Sequence, residues 1–192
     1  MMKTKNILLV GVGGQGTITA AKLLTTGLME EGFDVKMSEI HGMSQRGGSV
    51  CSQVRYGSDV ESPVIELGTA DVIVAFEKME AMRYIDFLKP NGKVIVNDVE
   101  IWPMPVVIGK AQYHQDIIGE LKKLATTKVI EASKLAIEMG NEKVTNVILL
   151  GTIIKSMGLD NIDWDSIIRN NVKPKFIDLN IEAMAKGMDL VS

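Results

Sequence analysis

Short unbroken apolar runs alternate along this chain with stretches whose apolar positions recur at helical spacing. "NILLV" (6–10), "DVIVAF" (71–76) and "KVIVND" (93–98) read as strands buried on both faces, the pattern of a parallel sheet covered by helices. Between them, Ile18, Ala21, Leu24 and Leu28 mark one face of a helix over 14–31, and Gly32 stands where a glycine stops such a helix. "DVKMSEI" (34–40) and "VCSQVRYG" (50–57) are further strands around a polar loop, and "EKMEAMRYIDFL" (77–88) is helical before the turn "KPNG". The two prolines of "IWPMPVVIG" suit an edge or loop connection. A helix over 115–125, a strand "TKVIEA" (127–132) and four helical stretches near 133–139, 144–157, 163–171 and 176–188 complete the rhythm, with Asp163 as an N-cap. The expected fold is α/β: a Rossmann-like three-layer sandwich with a mostly parallel sheet, in one domain spanning 1–192.

Composition narrows the partners. A formal net charge of −3 without a basic face leaves no electrostatic footprint for nucleic acid. The longest apolar stretch, "NVILLGTII", is too short to cross a bilayer, and "MMKTKN" leads directly into a strand with no signal-peptide core, so the expected location is cytoplasmic and away from membranes. One cysteine, Cys51, and two distant histidines, His41 and His114, offer neither a disulfide nor a thiolate metal site, so any redox centre belongs to another chain. Cys51 itself, within a strand, reads as inert packing.

Gly11, Gly13 and Gly16 satisfy the G-x-G-x-x-G fingerprint between an apolar strand and an amphipathic helix. Gly11 permits the tight turn, Gly13 clears the approach of a pyrophosphate, and Gly16 lets helix and strand pack; the helix amides then favour an anion. Glu39, ending the second strand, has the separation expected of a ribose ligand. The same glycines serve a plain strand-to-helix turn equally well. The second loop, "EIHGMSQRGGSV", sets Arg46 beside Gly47 and Gly48, an arrangement that nicotinamide recognition does not explain.

"GVGGQG", "HGMSQRGGSV" and the closing "KPKFIDLNIEAMAKG", in that order across nearly the whole chain, resemble the beta-subunit family of the indolepyruvate:ferredoxin oxidoreductases, a gamma-type module of the 2-oxoacid:ferredoxin oxidoreductases. The resemblance implies a two-chain enzyme. A larger alpha subunit holds thiamine diphosphate and iron–sulfur clusters, decarboxylates an aryl 2-oxoacid oxidatively, reduces ferredoxin and delivers the acyl group to coenzyme A. This chain would then be an accessory subunit, inactive by itself, whose glycine loop serves the subunit framework and a coenzyme A or phosphate contact.

Candidate binding residues are Gly11, Gly13, Gly14, Gln15 and Gly16 in the first loop and Ser44, Gln45, Arg46 and Gly47 in the second. Arg46 is the candidate catalytic side chain, because a guanidinium reaches a carboxylate or phosphate bidentately; an ion pair with Glu39 or a partner chain is the alternative. Asp98 and Glu100, at a strand's carboxyl end, stand where α/β sheets bind ligands or where the next element is capped. His41 is a loop donor or a backbone-bonded group. Met29, Met37, Met43, Met79 and Met82 are spaced as core or interface, and Phe176, Leu179 and Met184 pack home or dock on another subunit. Three other functions stay open: a subunit for pyruvate, a branched-chain oxoacid or 2-oxoglutarate; a free-standing dinucleotide-binding protein using Gly11–Gly16 and Glu39; and an assembly module without a ligand.

Overall fold

The computed structural model describes residues 2–42 and 47–191. Six strands form one sheet: β1 (Lys5–Val12), β2 (Asp34–His41), β3 (Ser49–Gly57), β4 (Ala70–Ala75), β5 (Leu88–Asn97) and β6 (Thr126–Ile130). Their spatial order is β2-β3-β1-β4-β5-β6. The pairs β1–β4, β4–β5 and β5–β6 are parallel, and β3 runs antiparallel to both β1 and β2. β3 thus separates β1 from β2, which in a dinucleotide-binding unit lie side by side.

Both faces of the sheet are covered, as the unbroken apolar runs require. Ile7 and Leu9 point into a larger core built with α1 (Thr17–Glu30), α5 (Ala132–Glu138), α6 (Thr145–Met157), α7 (Trp164–Asn171) and α8 (Ile177–Asp189). Leu8 and Val10 point the other way, into a core with α2 (Lys78–Arg83) and α4 (Ile117–Leu124). The two-residue alternation of a strand therefore feeds two hydrophobic layers at once.

Local signals explain the ends of these elements. α1 stops at a Schellman motif: the Phe33 amide donates to the Leu28 carbonyl and the Gly32 amide to that of Met29, with Gly32 at φ 89°. The Asp163 carboxylate caps α7 by accepting the Ser166 amide, as its sequence position suggests. The expected turn "KPNG" instead lies inside β5 as a bulge. Pairing passes from Ala70–Leu88 to Val72–Lys93, and Asn91 absorbs the extra length at φ 62°. The proline-rich connection contains one short helix, α3 (Met104–Val107), and the stretch 77–88 is divided into α2, a 3₁₀ turn (Ile85–Phe87) and the first residue of β5.

Some side chains differ from expectation. Ile18 and Met29 lie on the exposed side of α1, 37% and 55% accessible, because the helix turns Ala20, Ala21, Leu24 and Leu28 onto the sheet. Met37, Met79 and Met82 do pack against the two cores, whereas Met43 lies outside the described residues. In the closing segment Met184 is buried and Leu179 packs against the larger core, while Phe176 is half-buried beneath the Lys175 ammonium.

α8 is held by close backbone contact with α6. A β-carbon added to Gly187 would stand 1.9 Å from the Ile148 carbonyl oxygen, and one on Gly151 would stand 2.2 Å from that of Met184. Neither obstacle is a flexible side chain, so the helices must part to admit a methyl group. Gly187→Ala is expected to lower stability by about 1–3 kcal/mol, the usual cost of overpacking. Urea unfolding followed by circular dichroism measures it, and a wild-type midpoint would contradict the packing account.

Candidate functional site

β1 is followed by α1 on one face of the sheet and β4 by α2 on the other, so the chain reverses its winding between these two adjacent parallel strands. The carboxyl ends of strands at such a switch point form the crevice where open α/β sheets hold ligands. Here the crevice is crossed by the side chain of Gln15. Its Oε1 accepts the Val12 amide at 2.8 Å, and its Nε2 donates to the Phe76 carbonyl at 2.9 Å. Gln15 therefore ties the glycine loop to the end of β4.

Each glycine of the first loop has a distinct environment. A β-carbon on Gly11 would meet the Phe76 β-carbon and Gln15 Oε1, both at 2.9 Å. Gly14 is exposed at φ 106° with open space around it. Gly16 is the N-cap of α1 at φ 86°, and its missing side chain is replaced by Asn146 of α6, whose Nδ2 lies 2.7 Å from where a β-carbon would be. Among the described residues no side chain caps α1, and no acidic residue stands in its first turn, so the helix dipole there favours anions.

The two glycine-rich loops form one ledge. The Gly13 amide donates to the Gly48 carbonyl at 2.8 Å, and the Gly47 amide donates back to the Gly13 carbonyl at 3.4 Å. The Gly13 amide, which a pyrophosphate would use, is thereby engaged by protein. Directly after this strap, the Ser49 hydroxyl donates to buried Glu80 at 2.5 Å, and the same carboxylate accepts Arg83 Nε at 3.1 Å. Ser44, Gln45 and Arg46 lie outside the described residues, while Gly47 is exposed on the ledge beside them.

Clefts open on either side of the first loop. One, of ≈ 450 Å³, lies between Gly13, Gly14, Gly16 and the start of α1 on one wall and Glu39, His41 and Val50 on the other. Glu39 and His41 are both exposed, and β3 stands between their strand and β1. Glu39 thus faces the loop from one strand further away than the ribose ligand of a dinucleotide-binding unit. The other cleft, of ≈ 440 Å³, lies between Gly14, Gln15 and Gly16 and the residues Ser133, Ile137, Glu142, Lys143, Thr145 and Asn146.

A third group of polar residues occupies the ends of β4 and β5. Lys78 Nζ lies 2.9 Å from Asp98 Oδ1 and 2.9 Å from Glu100 Oε1, so these carboxylates are held by an ion pair instead of capping the next helix. Desolvation pulls the Lys78 ammonium down, but its bonds to the two carboxylates more than offset this and leave it above the ordinary lysine range. The bond from Lys78 holds Glu100 below the usual carboxylate range. Beneath them Glu77 is buried, caps α2 by accepting the Glu80 amide at 2.9 Å, and accepts the Tyr113 hydroxyl. Burial, reinforced by Glu77, pushes the Tyr113 phenol far above its ordinary value.

Sequence reasoning identifies the two loops but misses Asn97, Ser133, Asn146, Glu77 and Glu80. Glu77 and Glu80 carried a signal, since two acids opening a helix after a buried strand commonly serve as caps. Asn97 and Asn146 carried none, because their importance lies in which distant atoms they meet.

This α/β fold is one also found in solved subunits of 2-oxoacid oxidoreductases. Over residues 6–190 the sequence matches the family model described as pyruvate ferredoxin/flavodoxin oxidoreductase, and the chain belongs to that family. It is 42% identical to indolepyruvate oxidoreductase subunit IorB of Thermococcus kodakarensis, an alignment covering 97% of this chain and 96% of the relative. The fold matches pyruvate oxidoreductase subunit PORC of Thermotoga maritima with a TM-score of 0.76 at 20% identity, covering 97% and 96% of the two chains. It also matches 2-oxoglutarate:ferredoxin oxidoreductase of Magnetococcus marinus, solved with 2-oxoglutarate, coenzyme A and succinyl-CoA bound, with a TM-score of 0.75 at 21% identity. That match covers 98% of this chain and 31% of the Magnetococcus chain.

Cys51 lies in β3 at 2% exposure, and burial, with the Glu80 charge adding to it, pushes its thiol up to about 12. With its thiol held in the protonated form near neutral pH and shut away from solvent, Cys51 suits inert packing over nucleophilic chemistry. Alkylation by iodoacetamide at pH 8 is expected to be at least a hundredfold slower in native protein than in urea, as followed by mass spectrometry. Comparable rates would refute the buried, inert assignment.

Proposed function

We propose that this chain is the small subunit of an indolepyruvate (arylpyruvate):ferredoxin oxidoreductase. A larger alpha subunit holds thiamine diphosphate and iron–sulfur clusters, oxidatively decarboxylates the aryl 2-oxoacid, passes electrons to ferredoxin and yields the acyl-CoA. The observation that carries this reading is the 42% identity to an indolepyruvate oxidoreductase subunit, spread over nearly the full length of both chains. The knitting of "GVGGQG" to the end of "MSQRGG" through Gly13, Gly47 and Gly48 supports it, since two separated motifs then act as one surface. Exposed Trp102, Met104, Val107 and Ile108 offer an apolar surface of the kind that subunit contacts cover.

Within this reading the chain's own work is binding and positioning. The first glycine loop and the start of α6 receive a phosphate of coenzyme A in the cleft that contains Lys143 and Asn146. Arg46 holds an anion, the oxoacid carboxylate or a coenzyme A phosphate, through charge-assisted hydrogen bonds.

The rigorously purified chain is expected to be colourless and inactive with indolepyruvate, thiamine diphosphate, coenzyme A and a ferredoxin-like acceptor, and to gain activity only with the larger subunit. Turnover by the chain alone would sink the proposal. Arg46→Ala is expected to leave assembly and the cluster spectrum intact while lowering kcat/KM for oxoacid or coenzyme A by about tenfold to a hundredfold, from the loss of roughly 1.5–3 kcal/mol. Poor assembly at high salt with near-normal kinetics would instead make Arg46 an intersubunit ion pair. Calorimetry with NAD(H) is expected to show no micromolar binding. A 1:1 isotherm abolished by Glu39→Ala would move the chain to the dinucleotide-binding class.

A further inference from the structure

Asn97 ends β5 with 0% exposure, and its amide can adopt only one orientation. Its Oδ1 accepts the Ser133 backbone amide at 3.2 Å, while its Nδ2 donates to the Phe76 carbonyl at 3.2 Å and to Ser133 Oγ at 2.9 Å. A flipped amide would set two donors face to face at Ser133 and two acceptors face to face at Phe76. Ser133 Oγ is therefore an acceptor in this pair, and its own proton must go elsewhere. Among the described residues no acceptor receives it. Ser133 is half-buried in the first turn of α5 and lines the ≈ 440 Å³ cleft opposite Gly14 and Gly16.

The same cleft contains a second uncommitted group. Asn146 is 9% exposed, yet its side chain has no hydrogen-bond partner among the described residues. Thr145 is not free in this way, because its hydroxyl donates to the Glu142 carbonyl at 2.7 Å. Lys143 brings a positive charge and Glu142 a negative one to the rim. A hydroxyl proton, an amide open to the cleft and an ammonium facing one space suit a group with several acceptor oxygens, such as a phosphoryl group.

We propose that Asn97 is a positioning residue that fixes the Ser133 hydroxyl as a hydrogen-bond donor to a phosphoryl oxygen bound in this cleft. The inference rests on the coenzyme A reading above and adds the residues that set the polarity of the site. Asn97 stays out of contact with the ligand and acts through Ser133. Replacing it by aspartate would draw the Ser133 proton inward, toward the carboxylate, and turn a lone pair to the cleft.

The test uses the assembled two-subunit enzyme, with coenzyme A and with pantetheine, which carries the thiol but no phosphate. Ser133→Ala is expected to raise KM for coenzyme A about tenfold at unchanged kcat, and to reduce selectivity over pantetheine by the same factor. Ser133→Thr, which keeps the hydroxyl, should restore the wild-type constant. Asn97→Asp should match Ser133→Ala, and the double variant should be no worse than either alone. Additive losses, or an equal loss with both acceptors, would make Asn97 merely structural and overturn the proposal. Ser133→Ala decides the donor role even where Asn97→Asp does not assemble. If Lys143→Met raises KM for coenzyme A while Ser133→Ala does not, the cleft reading stands and this inference fails. If neither changes it, the phosphate lies elsewhere and both fail.

Discussion

The carbonyl oxygen of Phe76 accepts two side-chain amides, Gln15 Nε2 from the glycine loop and Asn97 Nδ2 from the end of β5. Phe76 itself follows β4, and its amide continues the ladder to Val10 of β1. One residue thus joins the carboxyl ends of three neighbouring parallel strands, at the point where a parallel sheet otherwise leaves backbone groups without partners. The glycine loop hangs from this join, the start of α5 is reached through Asn97 and Ser133, and the second glycine loop is strapped to the first. Unpairing the Phe76 oxygen would cost more than one hydrogen bond, because it would release both amides at once and the buried Asn97 has no solvent to turn to.

The antiparallel strand β3 changes what a familiar glycine fingerprint can do. By pairing with β1 in the place where a dinucleotide-binding unit sets its second parallel strand, it delivers Gly47 and Gly48 to the Gly13 amide. The loop keeps the backbone shape that suits an approaching anion but has one amide engaged by its own chain. What remains outward is the first turn of α1 and the cleft shared with α6. Buried Glu80 secures the geometry from beneath by holding Ser49, the first residue of β3 after the strap.

Much of the architecture was legible because this sheet is covered on both faces. Such strands are apolar at every position, and "NILLV", "DVIVAF" and "KVIVND" stand out for that reason; the glycine loop and the stop at Gly32 follow from backbone rules that act locally. Strand neighbours were not legible, since period and polarity say that 50–57 is a strand but not that it enters between two others. The bulge at Asn91 read as a turn because a proline, an asparagine and a glycine are the residues that either feature needs. In the site, the glycines were visible from their spacing, whereas Asn97 and Asn146 were not. Each is one asparagine among ordinary residues until the fold brings it to Ser133 or Gly16. Asp98 and Glu100 were seen, but their partner Lys78 comes from α2, which follows a different strand, and could not be inferred.

The crossing of α6 and α8 bears on how the closing stretch "KPKFIDLNIEAMAKG" should be understood. Where backbones touch at Gly151 and Gly187, a helix is keyed in its rotation as well as its position. One residue inserted ahead of Gly187 within α8 would turn it by about 100° and bring a side chain against the Ile148 carbonyl. The glycine that closes this stretch is therefore a record of alignment between two helices, dictated by mechanics. A motif can mark kinship in this way without contributing an atom to chemistry.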